Sequence, residues 1–327
     1  MKLHGAFIPA VPTPLDDRGQ LHEAALEHYV AYMAAQPVSG VAVWVHTGRG
    51  LHLEQPLRRR LLQRWREGLG KGALVVAGAG GPGGEAMAHE AAEWGADAIL
   101  AFPPAHLGPG APPAEIVAFH EKMAAAGLPV ILFYLYREAG GIPYAPDVLR
   151  ALLSLPGVAG IKMATLRDVV TFQDVAAIAD DFPKVTLVTG EDRFLGYSFM
   201  LGARAALVGL GAIFPAHQVE LMRAFMAGRE RAAEFVELAQ HVDRLARAVF
   251  APPVDGYVRR LLHVLAMSGV IPAGAVHDPW GPPLPPDDTL RLEQAVREFE
   301  RAAGTVAGGT VAGGTAGSAA GNGGGGR

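Results

Sequence analysis

Short apolar runs alternate with longer amphipathic stretches from the N-terminus to about residue 225. The apolar runs, of strand length, fall at 6–9, 41–45, 73–77, 98–101, 130–133, 159–161, 186–188 and 205–208. Between and after them, apolar positions recur at helical spacing over 23–35, 56–68, 84–94, 113–126, 146–153, 166–179, 193–201 and 215–226. Eight strand–helix units in succession predict an α/β chain folded as a (β/α)8 TIM barrel over residues 1–227. A doubly wound open sheet is the competing topology, and it normally uses fewer strands.

Helical spacing continues at 230–250, 255–267 and 288–303, the last preceded by the Pro-rich link 281–286. These stretches predict a C-terminal helical extension, residues 228–303, packed on the barrel. From 304 to 327 the chain is mostly Gly, Ala, Thr and Ser. Such a segment cannot bury enough apolar surface to order itself, so a disordered tail is expected.

Composition narrows the function classes. The chain is 50% hydrophobic, 18% charged and near neutral at formal charge −4, which suits a soluble enzyme and not a nucleic-acid binder. No apolar run approaches the roughly 18 residues of a membrane span, and the first residues run into a strand without a signal-peptide core. The absence of cysteine excludes disulfides, thiolate metal sites and a cysteine nucleophile; cytoplasmic residence is the expectation. His120-Glu121 has Ala124 where a zinc helix needs its second histidine, so no metal is expected. The run from Gly78 to Gly83 satisfies G-x-G-x-x-G. It lacks the acid at the end of the next strand, where Phe102 stands, so no dinucleotide or other cofactor is expected.

Candidate chemistry gathers at the strand ends. Of five lysines, four sit beside Gly, Pro, Glu or the N-terminus, whereas Lys162 ends the sixth apolar run. Burial there disfavours the ammonium form, and a neutral lysine can form a Schiff base with a carbonyl compound. A lysine that snorkels to solvent is the alternative. Barrel chemistry sits at the carboxyl ends of strands, which is where Lys162 falls. Tyr134 ends the fifth run, and its phenol either relays protons or caps the strand in water. After the second run, Trp44-Val45-His46-Thr47-Gly48-Arg49-Gly50 offers a hydroxyl and backbone N–H groups that can hold a carboxylate, or is an ordinary loop.

Together these residues resemble the dihydrodipicolinate synthase / N-acetylneuraminate lyase family of Schiff-base aldolases. Gly160-Ile161-Lys162-Met163-Ala164-Thr165 looks like its lysine motif, Leu132-Phe133-Tyr134 like the strand carrying its relay tyrosine, and His46-Thr47-Gly48 like its carboxylate turn. The stretch from Ala10 to Gly19, Val76-Ala77-Gly78-Ala79-Gly80 and Thr189-Gly190-Glu191-Asp192 resemble flanking motifs, and the likeness covers about residues 5–300. The resemblance implies a Schiff base between Lys162 and pyruvate or another 2-oxo acid, with Tyr134 as acid/base. It implies Thr47 and the Gly48 amide as a carboxylate clamp, and a Leu207 backbone carbonyl lining the site. It also implies a homo-oligomer, commonly a tetramer.

Several positions depart from the family pattern. His46 replaces a relay Thr/Ser and either takes over relay duty or contacts substrate; Arg49 replaces a glutamate and either binds a second anionic group or re-forms a structural salt bridge. His106 stands where the synthases carry a tyrosine that crosses a dimer contact, Ala139 where they carry an arginine, and Met163 follows the lysine. These departures favour an aldolase for another 2-oxo acid, or a dehydratase working through the same imine, over lysine-pathway synthase activity. A non-catalytic 2-oxo acid-binding protein is the alternative from another class.

Overall fold

A computed structural model describes residues 2–108 and 110–308. Eight parallel strands form one sheet: β1 (Phe7–Pro9), β2 (Gly40–Val43), β3 (Leu74–Ala79), β4 (Ala98–Ala101), β5 (Val130–Leu135), β6 (Val158–Ala164), β7 (Thr186–Thr189) and β8 (Ala205–Val208). Their order, β1-β8-β7-β6-β5-β4-β3-β2, leaves β1 and β2 at the two ends. A parallel bridge between Ala10 and Ala42 joins those ends, and the Val11 N–H donates to the Ala42 carbonyl at 3.1 Å. The sheet is thereby a barrel, as the strand count predicts.

Helices α1 (Glu23–Ala34), α2 (Gln55–Leu69), α3 (Gly84–Glu93), α4 (Pro113–Ala124), α5 (Pro146–Leu153), α6 (Val169–Ala179), α7 (Leu195–Met200) and α8 (Pro215–Met226) follow the strands in turn. Proline occupies the first turn of α2, α4, α5 and α8, where its fixed φ suits the helix and its missing N–H has no partner to lose. Two helices start later than their apolar spacing suggests. Asp168 caps α6 by accepting from the Thr171 N–H at 2.9 Å, so the helix begins at Val169. Before α7 the Asp192 carboxylate accepts from the Leu210 N–H at 2.6 Å, and the helix begins at Leu195.

Side chains alternate between two cores. Ile8, Ala42, Val76, Leu100, Ile131, Phe133 and Leu207 fill the barrel interior. Their strand neighbours, including Val41, Val75, Leu132, Ile161 and Met163, pack outward against the helices.

The extension comprises α9 (Ala232–Val249), α10 (Tyr257–Met267) and α11 (Asp288–Gly308). Fully buried Arg260 anchors it, with Nε 2.7 Å from the Asp288 carboxylate and Nη1 donating to the carbonyls of Val249, Ala251 and Pro253. A buried cation is tolerable only with its donors satisfied in this way. α11 reaches Gly308, so the start of the tail expected to be disordered from 304 is helical. Lengthening an existing helix gains a hydrogen bond per residue without a new nucleation step. Residues 309–327 of that tail lie outside the described residues. Among the described residues no helix is long and apolar enough to cross a membrane.

Candidate active site

Lys162 lies in register with Phe133 on β5 and Val188 on β7, both of which face the barrel interior. The lysine therefore points inward and upward, into a cavity at the carboxyl end of the barrel. Its side chain is buried, and Nζ lies 4.2 Å from the centroid of the Phe133 ring. Gly190 makes room for it: a Cβ there would sit 2.4 Å from Lys162 Cε. The cavity, about 460 Å³ of empty space with its mouth, is rimmed by the ends of β2, β5, β6, β7 and β8 and by Phe250 and Tyr257 of the extension. Burial lowers the Lys162 pKa to about 8, against the pull of the Asp192 and Glu191 carboxylates. At that value roughly a tenth of the amine is neutral at pH 7, enough for a nucleophile.

The two carboxylates form the wall beside the lysine. Glu191 accepts from the Thr165 hydroxyl at 2.8 Å, the Thr165 N–H at 2.5 Å and the Leu166 N–H at 3.0 Å. Burial outweighs these bonds and raises its pKa to about 7. Asp192 is raised to about 6 by the same cause, and Lys162 opposes the shift. These acids thus tie the ends of β6, β7 and β8 together and place negative charge near Nζ.

The opposite wall is neutral. After β2, the chain makes short 3-10 turns at His46–Gly48 and Gly50–His52, with Trp44 and Arg49 in the left-handed region at φ 58° and 55°. Non-glycine residues there are strained and persist only where surrounding contacts hold them. The Trp44 indole N–H donates to the Arg58 carbonyl at 3.0 Å and Arg49 to the Asp278 carboxylate at 2.7 Å; between them Tyr257, the first residue of α10, has its hydroxyl 3.0 Å from His46 Nδ1 and 3.1 Å from Thr47 Oγ1. Gly209 lies against this cluster, and a Cβ on it would be 3.2 Å from the Tyr257 ring and 3.3 Å from Thr47 Oγ1. Burial, with the charges of Arg49 and Lys162, lowers the His46 pKa to about 3, so the imidazole is neutral at ordinary pH. Burial raises the pKa of Tyr257, which stays a phenol. Tyr136, one residue beyond β5, completes the rim with its hydroxyl 3.5 Å from the Asp255 carboxylate.

Several expected site residues take other places. Tyr134 pairs with Met163 on the outward face of the sheet, half-buried against Tyr144 at a ring distance of 5.7 Å. Side chains alternate along a strand, so Phe133 takes the position facing Lys162 and Tyr136 the next accessible one above Leu135. The Gly48 N–H is consumed inside its own turn, donating to the Val45 carbonyl at 2.9 Å, and is not a carboxylate clamp. Arg49 turns away from the lysine: Nη2 lies 2.7 Å and Nε 3.1 Å from the Asp278 carboxylate, and Nη2 also donates to the Asp255 carbonyl. It is a structural staple between the β2 turn and the extension. His106 packs at 5.3 Å on Phe119 of α4, outside the cavity lining. The Leu207 side chain fills the barrel interior in register with Ile8, and Gly209, two residues on, lines the cavity instead. His46 and Thr47 do line the cavity with Lys162. Among the described residues no group of three or more His, Asp or Glu is placed to hold a metal ion.

Residues 3–297 match the family model described as the Dihydrodipicolinate synthetase family. The chain is 26% identical over 263 residues to a protein of Emericella nidulans named "Probable 4-hydroxy-2-oxoglutarate aldolase, mitochondrial", covering 78% of this chain and 82% of that one. It is 28% identical over 301 residues to a 4-hydroxy-tetrahydrodipicolinate synthase of Parasynechococcus marenigrum, covering 89% and 94%. In fold it is similar to the 4-hydroxy-tetrahydrodipicolinate synthase of Methylacidiphilum fumariolicum SolV, with TM-score 0.81, 20% identity and 94% and 99% of the two chains covered. The family match spans the barrel and most of the extension and includes the buried lysine, so the chain belongs to the dihydrodipicolinate synthetase family.

Proposed function

We propose that this protein is a Schiff-base lyase acting on pyruvate or a related 2-oxo acid, with Lys162 as the nucleophile. One observation carries the reading: a buried lysine, its pKa lowered to about 8, points into a cavity lined by polar and apolar side chains at the carboxyl end of a barrel. Neutral Nζ adds to the 2-oxo carbon, the carbinolamine loses water, and the resulting iminium occupies the place of the ammonium. There the Phe133 ring face and the nearby carboxylates stabilise the cation. The Thr47 hydroxyl on the opposite wall is placed to bind the substrate carboxylate. In a 4-hydroxy-2-oxo acid, removing the hydroxyl proton breaks the C3–C4 bond and releases an aldehyde. The bonding electrons pass into the iminium and leave an enamine. Protonation at C3 and hydrolysis then return pyruvate and free lysine.

The lining favours an uncharged aldehyde half over one with a second carboxylate. Among the described residues Lys162 is the one Lys or Arg on the cavity wall, and Arg49 is held by Asp278. With Phe133 at the inward strand position, the place of the synthases' arginine moves from Ala139 to Glu138, an exposed acid paired with Arg167. Lysine-pathway synthase activity is correspondingly disfavoured. Dehydration through the same imine is the second reading, with loss of a hydroxyl replacing carbon–carbon cleavage. A non-catalytic 2-oxo acid binder would have no use for an amine kept this close to neutrality. The barrel, residues 1–227, and the extension, 228–303, act as one unit, because the extension contributes Tyr257 and Phe250 to the cavity. We place the cysteine-free chain in the cytoplasm as a homo-oligomer, dimer or tetramer. The exposed Tyr197, Met200 and Val236 on α7 and α9 suit a subunit contact.

Borohydride reduction in the presence of pyruvate and a panel of 2-oxo acids tests the chemistry. The expected result is a mass adduct on Lys162. Absence of any adduct across the panel overturns the reading.

A further inference from the structure

The cavity holds more proton-handling groups than imine formation requires, and they are connected. Thr47 Oγ1, Tyr257 Oη and His46 Nδ1 form a continuous hydrogen-bonded chain with steps of 3.1 and 3.0 Å, and all three residues line the cavity opposite Lys162. The rings of His46 and Tyr257 lie nearly parallel, 11° apart with centroids at 5.9 Å, and the phenol hydroxyl is within hydrogen-bond distance of Nδ1. The other tyrosines serve this purpose less well. Tyr134 is on the far side of the sheet, and the Tyr136 hydroxyl reaches only Asp255, at 3.5 Å.

We propose that Tyr257, supplied by the same chain's C-terminal extension, is the acid/base catalyst of the lyase and exchanges protons between bound substrate and His46. The inference rests on the Schiff-base reading above. In carbon–carbon cleavage the C4 hydroxyl proton passes to the Tyr257 oxygen as the phenol's own proton passes to His46 Nδ1. The C3–C4 electron pair neutralises the iminium and forms the enamine. The positive charge thus moves from the lysine nitrogen to the imidazolium, and no net charge appears. The same proton then returns through Tyr257 to C3, regenerating the iminium and neutral His46. Burial and the Arg49 charge depress the His46 pKa, and the charge on Lys162 adds to them; this last contribution vanishes as the enamine forms and the proton arrives.

The surroundings hold the phenol in place. Phe250 stacks on the Tyr257 ring at 4.8 Å. Arg49 donates to the carbonyl of Asp255, two residues before Tyr257, and to the Asp278 carboxylate, which fixes the start of α10 against the β2 turn. Arg49 is in this sense a positioning residue, acting through Tyr257 without reaching the substrate.

Pyruvate alone tests the proposal, because an enamine exchanges its methyl hydrogens with solvent. In D2O the wild-type protein should replace pyruvate C3 hydrogens with deuterium, followed by proton NMR, and should give a borohydride adduct on Lys162. Tyr257→Phe keeps the ring and its stacking. It should still be trapped by borohydride while exchange slows about 100-fold or more, the usual contribution of a positioned acid/base group. His46→Gln, at the other end of the chain, should show the same split between trapping and exchange. A wild-type protein that forms no adduct removes the lyase reading and this inference with it. Adducts in all three proteins with exchange rates within threefold of one another overturn the role of Tyr257 alone. Far-UV circular dichroism separates either outcome from misfolding.

Discussion

The wall that carries Lys162 and the wall that faces it belong to the same barrel rim, yet they are assembled over different stretches of chain. Lys162 on β6 and Glu191 and Asp192 just after β7 lie close in sequence and are all ionisable. Facing them, His46 and Thr47 depend on Tyr257, more than 200 residues away, and their turn depends on a staple between Arg49 and Asp278 that spans 229 residues. The first wall sets the charge felt by the nucleophile. The second holds neutral groups in a fixed geometry, where hydrogen bonds and not net charge do the positioning. On the proposed mechanism, a site split this way separates tuning of the amine from transfer of protons, so each half should fail in its own manner.

The largest failure should come from the charged wall. Lys162→Ala should abolish the pyruvate adduct and lower turnover by more than about 1,000-fold, since the covalent route is lost, while the circular dichroism spectrum stays native. Turnover that survives would refute the mechanism. Next comes the staple of the neutral wall. Asp278→Ala leaves the Arg49 cation buried without its carboxylate, and should destabilise the fold by about 3–5 kcal/mol in denaturant unfolding. Replacing both partners by apolar residues, Arg49→Met with Asp278→Leu, should recover most of that loss. If the double variant is as unstable as the single one, the pair does not act as a buried ion pair.

A smaller effect distinguishes the walls by sign. On the proposed mechanism the nucleophile is the neutral amine, so the rate of imine formation with pyruvate should rise with pH and level off above about 8. Asp192 and Glu191 hold the lysine pKa up against burial. Asp192→Asn removes one of these charges, so the rise should move to lower pH; a move to higher pH would mean that Asp192 does not act on the ammonium. Tyr134→Phe should be the mildest change, altering turnover by less than about twofold, as outward-facing substitutions away from special features usually do. A large loss there would place Tyr134 back in the relay.

The contrast also explains what was legible in the sequence. The barrel was, because eight apolar runs at even spacing leave few topologies. Lys162 stood out because a charge inside an apolar strand is rare. The phase of β5 was not legible: strands of a helix-covered parallel sheet are apolar on both faces, so Ile131-Leu132-Phe133-Tyr134-Leu135 carries no inside–outside alternation. Only the register Phe133↔Lys162 reveals which tyrosine is excluded. Glu191 and Asp192 were visible as a motif without a role, since their effect depends on burial. Tyr257 and Asp278 gave no local signal. A tyrosine at a helix start and an aspartate in a loop become meaningful only when the extension folds over the β2 turn. His46 and Arg49 both looked like replacements that could reach substrate, and burial beside opposite partners separates them: one lines the cavity, the other closes an ion pair.

Tyr257 has a last consequence, for the order in which the protein is made. All eight strands and Lys162 leave the ribosome before residue 257. A nascent chain can therefore hold every strand and the lysine while the β2 turn still lacks Tyr257 and Asp278. On the proposed role of Tyr257, proton transfer waits until the extension is synthesised and Asp278 has latched onto Arg49, so a chain that stops before residue 257 should not turn over substrate.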